Sequence, residues 1–317
     1  MIKIKEGVGN EKQAPYWSRF RKDMKKNWGL YLLVLPVMLY FFIFYYGPMY
    51  GALIAFKDFS PIKGILGSDW VGFKHFADFL SSSDFGKLLF NTLKISITSI
   101  IVCFPAPIIL ALLLNEVKNP LFKRSVQTFS YMPHFVSLVV VCGIVKSFVA
   151  QDGIVTVLLS SLGLVEKADL LSFKNYFVPI YIASDIWTDI GWGSIIYLSA
   201  LSGVSQELYE ASAIDGASRL RQLFVVTIPG ILPTIVVMFI LRIGGIMNVG
   251  FEKIILLYNP LTYETADVIS SYVYRRGLME FNYSYSTAAG LFNAVINLLL
   301  VTTANKISKK VNNMSIW

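Results

Sequence analysis

The sequence predicts an all-α integral membrane protein with six transmembrane helices and with both termini in the cytoplasm. Three observations support this: the composition, the number of long apolar stretches, and the uneven distribution of lysine and arginine. Of the 317 residues, 55% are hydrophobic and 15% are charged, whereas soluble domains carry about 25% charged residues. The deficit of charge places the chain among membrane proteins.

Six stretches reach or approach the length of about 20 apolar residues that crosses the hydrocarbon layer of a bilayer. They are predicted at 29–48, 93–115, 129–150, 178–201, 233–253 and 286–305. The segments between them contain Gly, Pro, Lys, Asp and Asn, which are typical of loops. The first stretch follows a long basic segment and is too long and too aromatic for a cleavable signal peptide, so we expect it to be retained as a span.

Lysine and arginine accumulate on one side of the predicted spans, and this bias predicts the orientation. Sixteen lie in the two tails and in the loops after the second and fourth spans, against eight in the alternate loops. We therefore expect a basic cytoplasmic tail at 1–28, a six-helix domain at 29–305 with a cytoplasmic loop at 204–232, and a cytoplasmic tail at 306–317. The net charge of +8 then orients a multi-pass protein in the cell membrane, plasma or inner, and no nucleic acid is expected as a partner.

Cysteine and histidine are too few and too scattered to predict a metal or redox site. Cys103 and Cys142 each lie inside an apolar run, and His75 and His134 are far apart in the sequence. These spacings fit neither a disulfide framework nor a zinc site. We expect no metal ligands and no catalytic residues in this chain.

The most informative segment is the loop between the fourth and fifth predicted spans. Residues 206–215 are good helix formers without Pro or Gly, and Glu207 and Glu210 lie in the early turns, where the helix dipole favours acidic side chains. Gly216 follows where a helix would end. An amphipathic stretch comes next, with one apolar face formed by Leu220, Leu223, Phe224 and Thr227.

This loop is predicted to form a short helix, a glycine turn and a second helix beneath the membrane. Pro229 and Pro233 are expected to break the chain before the fifth span. Spacing alone leaves two interpretations open. The segment is either a plain cytosolic hairpin or a helix that docks into a soluble partner.

The same loop resembles the coupling motif of binding-protein-dependent ABC importer permeases. The family pattern is Glu-Ala-Ala, three residues, Gly, nine residues, Ile, one residue and Leu-Pro. Here Glu210-Ala211-Ser212 is followed by three residues and Gly216, and nine more lead to Val226-Thr227-Ile228-Pro229. Ser212, Val226 and Ile228 are small departures from the pattern. The Asp215-Gly216-Ala217 core has the form common in the sugar-importing branch.

Other segments resemble permeases for oligosaccharides and polysaccharides of the carbohydrate-uptake branch, whereas residues 1–28 show no such resemblance. The resembling segments are 49–51, 56–59, 70–72, 248–254, 258–261 and 266–269. The resemblance implies the type I importer permease fold, in which spans from two subunits enclose a path. It also implies that this path carries a sugar, as an oligosaccharide, delivered by an extracellular solute-binding lipoprotein.

The resemblance further implies partners that hydrolyse ATP. The chain contains no Gly-x-x-x-x-Gly-Lys-Ser/Thr sequence, the loop that cradles nucleotide phosphates. ATP and Mg are therefore expected on two cytosolic ATPase subunits, and the second permease subunit is expected to be a different chain. Gly216 is assigned the turn and Glu210 an ion pair or cap. The apolar docking contacts are assigned to Leu208, Ala211 and Ile214. The full set assigned to coupling is Leu208, Glu210, Ala211, Ser212, Ile214, Asp215, Gly216, Ala217, Phe224 and Pro229.

Polar and aromatic residues inside the spans are the candidates for the solute path, because ionisable groups in a membrane are costly and commonly functional. Asp185 and Asp189 are four residues apart and share a helix face. The stretch that resembles the sugar permeases makes Asn248, Phe251 and Glu252 the preferred group. The full set is Asp185, Trp187, Asp189, Trp192, Asn248, Phe251, Glu252, Asn293 and Asn297.

Structural roles for some of these residues remain open from sequence. Asp185 is alternatively the partner of Arg242 or Lys146 in an ion pair, and Asn293 and Asn297 are alternatively hydrogen-bonding groups between helices. Other function classes also remain: a permease for an amino acid or an anion, an ion-coupled secondary transporter that uses Asp185 or Asp189, and an intramembrane aspartyl protease. The coupling motif and the lack of internal repeats disfavour the secondary transporter. The protease is disfavoured because its two aspartates must face each other across a gap, whereas Asp185 and Asp189 sit one turn apart on one helix.

Overall fold

The structure of the chain is a computed structural model that describes residues 16–312. The predictions for the two tails that concern residues 1–15 and 313–317 lie outside this range. The chain divides into two units, 1–53 and 54–317.

The first unit begins with a basic helix and continues as an apolar one. Helix α1 spans Tyr16–Lys26, helix α2 spans Trp28–Phe41, and a π-helical turn at 42–46 leads into helix α3, Gly47–Met49. Helix α2 is apolar all round, and its side chains are exposed. Such a helix fits a hydrocarbon environment, where the chain tolerates Pro36 inside α2.

The second unit is helical in its described residues, apart from one two-stranded antiparallel pair. In this pair β1, Lys57–Asp58, and β2, Asp69–Trp70, align Lys57 with Trp70. The first helices are α4 Gly64–Gly67, α5 Lys74–Leu80, α6 Phe85–Cys103, α7 Pro105–Glu116, α8 Pro120–Tyr131, α9 Leu138–Val149 and α10 Ile154–Ser161. They are followed by α11 Phe177–Ser202, α12 Gln206–Ile214, α13 Arg219–Gln222, α14 Ile228–Gly244, α15 Phe251–Leu257, α16 Tyr263–Ala266, α17 Ile269–Tyr274 and α18 Tyr283–Asn312.

Five helical segments of the described chain are long and apolar enough to cross a membrane. They are Trp28–Phe56, Phe85–Glu116, Leu138–Ser161, Arg219–Gly244 and Tyr283–Lys310. The predicted span at 178–201 is α11, a single helix of 26 residues, which is about 39 Å long at 1.5 Å per residue. It is not among the five because Asp185, Asp189 and several Gly, Ser and Trp residues reduce its apolar character.

The predicted span at 129–150 is wrong at its beginning. Helix α8 ends at Tyr131, residues 132–135 form a 3₁₀ turn around Pro133, and α9 starts only at Leu138. Proline removes a backbone donor and crowds the preceding turn, so the helix stops although the sequence remains apolar.

The predicted span at 233–253 is wrong at both ends. Pro229 and Pro233 do not break the chain: they lie in α14, which continues the helical path from Arg219 through a π-helical turn at 223–227. The π-helical turn just before Pro229 is one of the local adjustments by which a membrane helix accommodates a proline. The helix instead ends at Gly244, and residues 245–250 are unwound before α15 begins.

The interior of the second unit is built around α11. Buried residues of α11 pack with α9 and α15 in one apolar cluster that includes Phe177 and Ile254. Tyr197 and Leu201, farther along α11, pack with Ile231 of α14 in another cluster. Helix α11 therefore carries polar residues on a scaffold that several helices hold in place.

Glycine allows the end of α8 to contact α11 directly. A Cβ atom placed on Gly191 would collide with the carbonyl group of Ser130. The overlap would lie far inside van der Waals contact, and the obstacle is backbone rather than a movable side chain. The close approach fixes the turn at 132–135 against the middle of α11.

We predict that Gly191→Ala destabilises the protein by roughly 1–3 kcal/mol, the usual cost of overpacking. The measurement is the thermal unfolding midpoint of the purified chain in mild detergent. Gly143→Ala in α9 is the matched control, because a Cβ there has nothing within 4 Å and gains helix propensity. Equal midpoints for the two variants would contradict the close approach.

Candidate functional site

The unwound segment 245–250 is held by side chains from neighbouring helices. The backbone N–H of Met247 donates to Asn297 Oδ1 at 3.0 Å, and Asn293 Nδ2 donates to the carbonyl oxygen of Met247 at 3.2 Å. Ser96 Oγ donates to the carbonyl oxygen of Ile246. These bonds replace those that the chain loses by leaving the helix, and the loss is costly where water is scarce.

A cavity of about 570 Å³ lies beside this segment and reaches the polar face of α11. Five predicted path residues line it: Asp185, Asp189, Asn248, Phe251 and Glu252. The structure thus brings together the carboxylates of α11 and the preferred group around residue 250.

A second cavity of about 430 Å³ continues along α11. It shares Asp185, Asp189 and Arg242 with the first cavity and adds Trp192. On α11, Asp185, Asp189 and Trp192 follow one another at spacings of four and three residues, so they form one stripe. The two aspartates of the stripe line both cavities, and Trp192 lines the second.

Three predicted path residues lie elsewhere. Trp187 lines a separate apolar cavity of about 470 Å³ with Tyr176 and Phe148. Asn293 and Asn297 are buried and bond the unwound segment, which is the structural alternative that the sequence left open. Asn293 also donates to Asn248 Oδ1 at 2.9 Å, so α18 orients a residue of the cavity wall.

Asp185 forms its ion pair with Lys253, not with Arg242 or Lys146. Lys253 Nζ lies 2.5 Å from Asp185 Oδ1, and their side chains are only 6% and 17% exposed. The ammonium group also lies 5.0 Å from the centre of the Tyr181 ring. The pair joins α15 to α11 in the wall of the first cavity.

Arg242 has a different partner from the one expected. Its Nη2 donates to Ser99 Oγ at 2.6 Å, which ties α14 to α6. The walls of the two cavities therefore contain three carboxylates, from Asp185, Asp189 and Glu252, and two fixed cations, from Arg242 and Lys253.

A stacked pair of rings stands beside Asp189. His134 Nδ1 lies 2.9 Å from Asp189 Oδ1. The imidazole stacks on Trp192 with ring centres 4.7 Å apart and planes inclined by 6°. The turn at 132–135 thus sets the orientation of an aromatic ring in the cavity wall.

Sequence reasoning missed Lys253 and underrated His134. The rule that singles out ionisable residues inside spans applies to Lys253, which lay in the predicted fifth span. His134 offered no comparable signal, because its contacts with Asp189 and Trp192 depend on the packing of α8 against α11.

The loop after α11 has the predicted helix–turn–helix form. Ser205 Oγ caps α12 by accepting from the backbone N–H of Glu207 at 3.2 Å. Gly216 has φ +75°, a left-handed conformation that favours glycine, and Ala217 N donates back to the carbonyl oxygen of Ser212 at 2.9 Å. The predicted turn at Gly216 is confirmed, and the cap comes from Ser205, whereas Glu210 is exposed.

The two arms of this loop are tied together on their inner side and apolar on their outer side. Tyr209 Oη lies 3.0 Å from Thr227 Oγ1. The large apolar residues of the set assigned to coupling, Leu208, Ile214 and Phe224, are 54%, 87% and 66% exposed. The remaining members of the set lie along the same loop: Ala211, Asp215 and Pro229 are exposed, and Ser212 and Ala217 are half-buried.

The groups that line the two cavities are polar and aromatic. Among residues 16–312, no group of three or more His, Cys, Asp or Glu side chains is placed to hold a metal ion. The cavities instead offer hydroxyl, amide, carboxylate and aromatic groups to a polar solute.

We predict that Lys253→Met and Asp185→Leu each lower the free energy of unfolding by about 3–5 kcal/mol, because each leaves an uncompensated buried charge. The double variant removes both charges and should recover much of this loss. Thermal unfolding in detergent measures all three. The exposed pair of Lys63 and Asp69 is the control: Lys63→Met should cost less than about 1 kcal/mol. Additive losses in the Lys253–Asp185 double variant would contradict direct pairing.

Comparison with known proteins places this geometry in a family. The family model described as "Binding-protein-dependent transport system inner membrane component" matches residues 103–313. Protein LplB of Bacillus subtilis (strain 168) is 46% identical over 93% of this chain and 92% of its own. The polygalacturonan/rhamnogalacturonan transport system permease protein YteP of the same organism is 45% identical over 91% of this chain and 90% of its own.

Solved structures agree with these relatives. A chain of a bacterial ABC transporter that imports the acidic polysaccharide alginate is 44% identical, with a TM-score of 0.85 over 93% of this chain and 99% of its own. A second solved structure is a chain of the bacterial alginate ABC transporter in complex with an alginate pentasaccharide-bound periplasmic protein. It is 43% identical, with a TM-score of 0.86 over 94% of this chain and 100% of its own. The chain is therefore a multi-pass membrane protein that belongs to the family of inner membrane components of binding-protein-dependent transport systems.

Proposed function

We propose that this chain is the permease subunit of an ATP-driven importer and forms part of the path for an oligosaccharide. The observation that carries the proposal is the stripe of Asp185, Asp189 and Trp192 along α11, which faces two adjoining cavities. Carboxylates accept hydrogen bonds from sugar hydroxyls, and an indole ring packs against the C–H face of a sugar. The relatives named for polygalacturonan, rhamnogalacturonan and alginate support the same class of solute.

The proposal includes six spans with both termini in the cytoplasm. The five apolar segments together with α11 give the even number that this orientation requires. The polar face of α11 then lines the cavities, and a second permease subunit separates it from lipid. We propose that this second subunit is a different chain. Under this orientation the loop that contains Gly216 faces the cytosol.

ATP and Mg are bound by two cytosolic ATPase subunits in this proposal, and an extracellular solute-binding lipoprotein delivers the sugar. The docking surface for an ATPase subunit is formed by exposed apolar residues: Leu208 and Ile214 of α12, and Phe224 of the π-helical turn at 223–227. Tyr209 and Thr227 tie α12 to the start of α14. A displacement of α12 is therefore passed to α14, which ends at the unwound segment beside the cavity.

The first test concerns coupling. The chain is expressed with the products of its neighbouring genes and purified by a tag on this chain, and the co-eluting ATPase activity is measured. Gly216→Trp should lower ATPase recovery severalfold, since it strains the turn and alters the docking surface, and Glu210→Ala should lower recovery or activity.

Gly163→Trp is the matched control for Gly216→Trp. Gly163 also has a positive φ, +70°, and a Cβ atom placed at either glycine would have nothing within 4 Å, so the backbone strain of roughly 1–3 kcal/mol is similar. It lies between α10 and α11, on the proposed external side. An equal loss of ATPase in both variants would show that strain alone, not docking, explains the result. Solute uptake by the chain alone along an ion gradient would favour the secondary-transporter alternative.

The second test concerns the solute path. In proteoliposomes that contain the complete importer, Trp192→Leu should reduce the amount of sugar moved per ATP hydrolysed several-fold, and Trp192→Phe should retain most of it. Trp187→Leu is the control, because Trp187 is on the same helix and similarly exposed, 40% against 44%, but lines the separate apolar cavity. Oligogalacturonides, alginate oligosaccharides and neutral oligosaccharides are compared as solutes. Equal effects of the two leucine variants would remove Trp192 from the path.

A further inference from the structure

Helix α1 turns away from the axis of the span that follows it. Tyr31 Oη donates to Asp23 Oδ2 at 2.6 Å, and the rings of Phe20 and Tyr31 have centres 6.1 Å apart. In a straight helix, residues eight and eleven apart are separated along the axis by about 12 and 16 Å. These contacts therefore require a bend, which occurs at Asn27, where φ and ψ are −115° and 27°.

The bent helix has two chemically opposite faces. At 100° per residue, Trp17, Phe20 and Met24 lie on one side of α1. Lys22 and Lys26 lie on the opposite side, and Lys25 and Arg21 continue this basic face along one flank up to Trp17; all four cations are exposed. Helices with this division lie in the interface of a membrane, with the apolar face towards the acyl chains.

The one acidic residue of α1 is held at the bend, and its charge interaction with Lys26 is weaker than its hydrogen bonds. Asp23 is turned back towards α2, where it accepts hydrogen bonds from Tyr31 Oη and, at 2.7 Å, from Asn27 Nδ2. These bonds, the one from Tyr31 first, hold the pKa of Asp23 below its ordinary value. Its carboxylate therefore stays ionised and fixes the bend, while the side chains of the four cations are exposed.

We propose that the basic face of α1 binds the headgroups of anionic phospholipids in the membrane leaflet where the first span begins. The ligand chemistry is a layer of phosphodiester anions, because the cations are spread over two turns of helix rather than gathered around a pocket. One residue, Asn27, separates the end of α1 from Trp28, the first residue of the span. Helix α1 therefore lies at the level of the lipid headgroups. This role is separate from solute transport and from ATPase docking through Gly216.

The test uses the full chain in nanodiscs made from phosphatidylcholine and phosphatidylglycerol. The number of phosphatidylglycerol molecules retained per chain is measured by mass spectrometry. One variant carries Arg21→Gln, Lys22→Gln, Lys25→Gln and Lys26→Gln. Its retention should fall at least about tenfold, since each cation near an anionic surface contributes about fivefold to binding, and added salt should weaken retention by the wild type.

The matched control removes the same charge from elsewhere on the same predicted side, with Lys118→Gln, Lys123→Gln, Arg124→Gln and Lys309→Gln. This control should retain phosphatidylglycerol as the wild type does. An equal loss in both variants would overturn the proposal in favour of general charge attraction, and unchanged retention in the α1 variant would overturn it outright. Loss of ATPase recovery by the α1 variant in discs of pure phosphatidylcholine would show that this face binds a protein instead. Tyr31→Phe, which releases Asp23, should lower retention without removing any cation.

Discussion

The constraint on which the rest of the structure depends is the need to pair every backbone polar group where water is scarce. Residues 245–250 leave the helical path between α14 and α15, and their N–H and C=O groups need partners from elsewhere. Asn297, Asn293 and Ser96 supply them. The chain can therefore leave the helical path beside α11 because polar side chains of α6 and α18 bond the unwound backbone.

The ion pair of Lys253 and Asp185 has a similar origin. A buried ion pair seldom adds stability over apolar packing of the same volume, so stability alone does not account for it. Its position does, because each partner also lines the first cavity. The pair joins the helix after the unwound segment to α11, and it keeps both charges compensated in a wall that a polar solute must pass.

The sequence could predict features that depend on residues close together in the chain, but not features that depend on packing between distant segments. The helix–turn–helix around Gly216 depends on capping, dipole and glycine effects within a few residues, and the structure confirms it. The ends of the spans near Pro133 and Pro229 were wrong, because the helix stops before Pro133 but continues through Pro229. That difference depends on the π-helical turn at 223–227 and on packing against neighbours, which local composition does not encode.

The candidate site shows the same division. Sequence selected Asp185 and Asp189 from their type and depth, but their partners, Lys253 and His134, come from 68 and 55 residues away. Asn293 and Asn297 have the same spacing as the two aspartates, yet they bond the backbone of Met247 and line neither of the two cavities beside α11. Spacing on one helix therefore identifies a polar face, and only the opposing helix decides whether that face meets solute or chain. Here α11 is opposed partly by a cavity and α18 by the unwound segment, so equal patterns acquire different roles.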